Sequence, residues 1–75
     1  MTEKIIDIIS KAQGIPKEKI TLEIHLIQDL GLTSYDVVSL TGLFEDEFDI
    51  EIPDRMIRSL KTVGDVEKLV GRLVE

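Results

Sequence analysis

The chain has 75 residues, enough for one small domain spanning 1–75 and no second. With 43% hydrophobic and 32% charged side chains it has too much apolar content to stay disordered. It has no Cys and a formal net charge of −6, so it offers no disulfide framework, no thiolate metal site, no thiol of its own and the wrong sign for nucleic acid.

Residues 3–12, EKIIDIISKA, put Ile5, Ile6, Ile8, Ile9 and Ala12 at helical spacing, against Glu3, Lys4, Asp7 and Lys11. Four Ile are not ideal helix formers, but period 3.6 fits better than alternation. Thr2 stands as the N-cap and Gly14 is placed to end the helix. Residues 15–32 form the longest connection. Its many Leu and Ile predict a segment packed across the helices, with a short strand over 20–27 as the alternative.

Residues 34–48, SYDVVSLTGLFEDEF, are the second helix. Val37, Leu40, Thr41, Phe44 and Phe48 share one face; Tyr35, Ser39, Gly42 and Asp46 share another that has no large aliphatic residue. Thr33 caps the start and Asp36 suits the first turn by its sign. Pro53 prevents the helix from resuming, and Asp54 is placed to cap a short turn at 55–59. Thr62 opens the last helix, with Asp65 at N3 and Val63, Val66, Leu69, Val70 and Leu73 at helical spacing. The fold class is all-α: three main helices, one short helix and a long first loop.

The charge is segregated. Residues 20–54 hold nine acids and no Lys or Arg, while the rest of the chain is net +3. Such a field steers partners that carry basic patches, and it also serves simply to keep a small protein soluble. Glu45, Asp46, Glu47 and Asp49 read as an exposed acidic knob, and DEFDIE lacks the glycine of a calcium loop. No apolar run approaches the ~20 residues of a membrane span. Glu3, Lys4 and Asp7 do not suit a signal peptide. The absence of disulfide staples fits a cytoplasmic chain.

No group of residues makes an enzyme's site. His25 is the only His, and GLTSY is not a nucleophile elbow. Ser34 remains, in the first turn of an amphipathic helix, where a phosphate ester would meet free N–H groups and the positive end of the dipole. Local features alone leave Thr33 or Ser34 as an ordinary cap.

Residues 29–70, DLGLTSYDVVSLTGLFEDEFDIEIPDRMIRSLKTVGDVEKLV, resemble an acyl carrier protein. Asp29-Leu30-Gly31, Ser34, Asp36, Leu40, Phe48, Ile52-Pro53 and Thr62-Val63-Gly64-Asp65 fall in the family's order and spacing, and residues 14–20 fit as well. The resemblance implies a four-helix carrier, not an enzyme. It implies that a phosphopantetheinyl transferase, using Mg²⁺ and coenzyme A, attaches 4′-phosphopantetheine to Ser34. Acyl groups then ride as thioesters in fatty acid, lipid or polyketide biosynthesis. It implies a partner surface of Tyr35, Asp36, Ser39, Gly42, Glu45 and Asp46, read by acyl-processing enzymes with basic docking patches. It implies an acyl pocket lined by Val37, Leu40, Phe44, Ile52, Ile57 and Leu69. The protein is expected to be monomeric, to bind no metal and no nucleic acid, and to have no membrane span. Thr33-Ser34-Tyr35 replaces the family's usual Asp-Ser-Leu, and Gly42 stands where a larger apolar residue is common. These departures suggest a carrier dedicated to one pathway. A peptidyl or aminoacyl carrier, and a helical interaction module without the arm, are the alternatives.

Overall fold

In the computed structural model, which describes residues 2–74, α1 occupies Thr2–Gln13, α2 Ser34–Phe48, α3 Asp54–Ile57 and α4 Val63–Leu73. A 3₁₀ turn, Lys17–Lys19, interrupts the first connection. Gly14 ends α1 with φ +67°, a conformation that suits a residue without Cβ. Two end assignments differ from those read in the sequence. Thr2 is the first helical residue, and its hydroxyl donates to Glu67 Oε2 of α4, tying the two helices together. Asp54 lies inside α3; Pro53 precedes it as N-cap, and no side chain caps the turn.

The core is one cluster. Ile5 and Ile9 come from α1; Val37, Leu40 and Phe44 from α2; Val63, Val66, Leu69 and Val70 from α4. The first connection contributes Ile20, Leu26 and Leu32, and the segments flanking α3 contribute Ile52 and Leu60. The connection is thus packed as its composition predicts. Thr41, buried on the core face of α2, is satisfied by donating from Oγ1 to Val38 O at 2.6 Å.

No strand forms over 20–27. A single antiparallel bridge pairs His25 with Thr62. Here the segment serves as the missing acceptor for a helix start. Val63 N donates to Ile24 O at 3.1 Å, and Gly64 N to Leu22 O at 2.8 Å. Leu26 N donates back to Lys61 O at 2.9 Å. A capping box completes the end. Asp65 N donates to Thr62 Oγ1 at 3.1 Å, and Thr62 N to Asp65 Oδ2 at 3.0 Å. Every N–H of the first turn of α4 therefore has a partner.

Gly64 suits the close approach at this seam. A Cβ there would lie 3.0 Å from Leu22 O, a backbone atom, whereas one on Gly42 meets nothing within 4 Å. We expect Gly42→Ala to stabilise the fold by up to about 1 kcal/mol, the usual helical gain. Gly64→Ala should instead destabilise it. Urea denaturation of both variants measures the difference.

The backbone N–H groups of Thr62 and then Lys61 hold the Asp65 carboxyl below its usual range. A depressed folded value contributes stability that is present above about pH 4, the unfolded value, and is lost as pH falls through the folded one. The native chain should be more stable than Asp65→Asn at neutral pH, and that advantage should shrink below about pH 4. Paired denaturation curves across that range test it.

Candidate functional site

The N-terminus of α2 is built like that of α4 but left open. Gly31, at φ +73°, turns the chain out of residues 25–30, and Leu32 is held by its N–H on Leu26 O at 3.2 Å. Thr33 then caps the helix with a reciprocal box. Asp36 N donates to Thr33 Oγ1 at 3.1 Å, and Thr33 N to Asp36 Oδ2 at 2.9 Å. The sequence indicated Asp36 only by its sign; its carboxylate is in fact a second cap. Ser34 N and Tyr35 N occupy the places that Val63 N and Gly64 N occupy in α4. Among the described residues they have no protein acceptor. Ser34 is itself exposed. An anion esterified to that hydroxyl would find two free donors and the positive end of a 15-residue helix.

The outward face of α2 starts at Tyr35, 77% exposed. Ser39 and Asp46 are exposed and Gly42 half-buried along the same stripe. Val38 and Leu43, absent from the sequence-derived surface, flank it as exposed apolar residues. Their signal was available, since both lie off the core stripe of the helix. Glu45 corrects the reading of an exposed acidic knob. It is half-buried, and its Oε2 accepts from Ile52 N at 2.7 Å, fastening the segment after α2. Nothing in the local pattern marks a contact seven residues away. Glu47 approaches Lys4 of α1 at 3.7 Å. Asp46 and Asp49 remain free of such contacts among the described residues, and Asp49 ends the helix with φ 54°.

The residues expected to line an acyl pocket belong to the core. Val37, Leu40, Phe44, Ile52 and Leu69 are buried in the cluster, and Ile57 packs against it half-buried. His25 is not a plain surface residue. It lies in the bridge to Thr62; its backbone N–H donates to Asp29 Oδ2 at 2.8 Å, and its Nδ1 lies 3.3 Å from the same oxygen. The His25 backbone N–H, and then the ring, hold the Asp29 carboxyl below its usual range. Among the described residues, no group of three or more His, Cys, Asp or Glu is placed to hold a metal ion, and no helix is long and apolar enough to cross a membrane.

Comparison with known proteins agrees with this geometry. Residues 3–70 match the family model for the phosphopantetheine attachment site. The chain is 47% identical over 66 residues to the acyl carrier protein of Syntrophobacter fumaroxidans, covering 88% of this chain and 82% of that protein. The crystal structure of an acyl carrier protein from Thermotoga maritima superposes with a TM-score of 0.84 at 32% identity, covering 96% of this chain and 84% of the other. A protein from Mycobacterium tuberculosis assigned as an acyl carrier protein gives 0.88 at 37% identity, with 95% of each chain covered. The match over residues 3–70 and the likeness to these relatives in sequence and bundle place the chain in the acyl carrier protein family, whose members are carriers rather than enzymes and bear covalently attached 4′-phosphopantetheine.

Proposed function

We propose that Ser34 is the residue that bears the 4′-phosphopantetheine. The observation that carries this is the contrast between two helix starts with the same capping box. That of α4 is filled by Leu22 O and Ile24 O; that of α2 keeps Ser34 N and Tyr35 N free beside an exposed hydroxyl. The Thr33–Asp36 box holds the first turn of α2, so Ser34 sits where the N–H groups and dipole favour a phosphodiester. When bound, the arm supplies the thiol that a chain without Cys lacks.

The face of Tyr35, Ser39, Gly42 and Asp46, with Asp36 and Glu45 beneath as fasteners, is the surface offered to acyl-processing enzymes with basic patches. Val37, Leu40, Phe44, Ile52, Ile57 and Leu69 are the core residues that part to admit an acyl chain. A core this small has only about 3–5 kcal/mol behind it, so local opening costs little. The protein acts as a cytoplasmic monomer in fatty acid, lipid or polyketide synthesis. Tyr35 and the small residues along the outward face favour a dedicated pathway over bulk elongation.

Intact mass after incubation with coenzyme A, Mg²⁺ and a broad-specificity transferase should rise by one phosphopantetheine. Ser34→Ala should show no rise while keeping its fold, since Ser34 is exposed. A rise in the variant would place the arm elsewhere. For pathway choice, Tyr35→Leu should raise turnover of the loaded carrier by general elongation enzymes at least several-fold. Equal turnover before and after the substitution would argue against dedication.

A further inference from the structure

A cleft of about 470 Å³ opens between the first connection and the segment leading into α4, lined by His25, Ile27, Gln28, Arg58, Leu60 and Lys61. Arg58 and Lys61 follow a stretch of the chain without Lys or Arg, and no carboxylate lines the cleft. Asp29 is held on the His25 backbone N–H and ring. Gln28 adds an amide donor. Ile27, half exposed, and Leu60, buried, make an apolar shoulder beside the charges. A guanidinium that can bind two oxygens at once, an ammonium and an adjoining apolar wall suit a carboxylate at the end of a hydrocarbon chain.

The cleft is also within reach of Ser34. Leu32, two residues before Ser34, donates to Leu26 O, and Leu26 donates to Lys61 O. Covalent and hydrogen-bond lengths along that path keep the Ser34 and Lys61 Cα atoms within about 20 Å of each other. A phosphodiester and two amide units have a chain about as long as five extended residues, about 17 Å, before any acyl group is added. A cargo tethered to Ser34 meets the cleft at an effective concentration of order millimolar, which makes a weak, exposed site useful.

We propose that this cleft receives the terminal carboxylate of a dicarboxylic acyl group carried by the protein. Arg58 and Lys61 bind the carboxylate, and Ile27 and Leu60 cover the methylenes next to it. The inference rests on the attachment of the arm to Ser34 and assigns the class of cargo.

Succinyl, adipyl and suberyl groups would be loaded through the arm, each beside the monocarboxylic acyl group of equal carbon count. Intact mass establishes loading first, so a failure there counts against Ser34 and not against the cleft. Amide chemical shifts are then mapped on the loaded full chain at low salt. At least one dicarboxylic cargo should move the signals of residues 25–28 and 58–61, while its methyl-ended counterpart leaves them in place. High salt should erase the movement, as should Arg58→Gln combined with Lys61→Gln; both side chains are exposed and the fold does not need them. Identical maps for every pair of cargoes, or shifts that survive the double substitution, would overturn the proposal and leave the cleft as solvated basic surface.

Discussion

The fold depends on the seam between the first connection and the start of α4. Three backbone hydrogen bonds, from Val63, Gly64 and Leu26, close it. They do two things at once. They give acceptors to N–H groups that a buried helix start would otherwise leave unpaired, a cost of about 1–3 kcal/mol each. They also hold the connection against the core, with Ile20, Leu26 and Leu32 buried beneath it. Leu26 lies at the crossing, since its carbonyl accepts from Leu32 as well. The position of Thr33 and Ser34 is therefore tied to the start of α4, through two hydrogen bonds and a buried Leu.

Two Thr–x–x–Asp boxes thus do different work on one scaffold. At Thr62 the box closes an end that is already covered by chain, and its aspartate is a structural anion. At Thr33 the box shapes the turn but leaves two donors open to solvent. Chemistry at a helix start needs both features: a turn that does not fray, and N–H groups that the protein itself has not used. The contrast between these two turns is what singles out Ser34 within a chain of this family.

Much of this was legible from periodicity and capping residues. The apolar spacing of Ile5 and Ile9, of Val37, Leu40 and Phe44, and of Val63, Val66 and Val70 marks the core faces of the three longer helices. Thr33, Thr62 and Gly14 mark their ends because caps are local chemistry. The non-local contacts were not legible. Thr2 reads as a cap but reaches Glu67 across the bundle, and Glu45 reads as free charge but fastens Ile52. The alternation over 20–27 is real, yet the segment finds a helix end to pair with instead of a strand. Arg58 and Lys61 stand far from His25 and Ile27 in the chain, so only the fold brings them to one cleft.

The acidic end of α2 has a consequence of its own. Glu45, Asp46 and Glu47 occupy its last turns, Asp49 its cap, and no base stands in the last turn. Negative charge there opposes the carbonyl end of the helix and repels itself. The free protein therefore holds an unfavourable arrangement that dissolved salt relieves by screening. A partner that supplies cations to this end relieves the same repulsion directly, and loses that advantage as salt takes its place. Ionic strength then acts with opposite sign on the carrier alone and on its complexes, so the conditions that steady the isolated fold are those that release it from a partner.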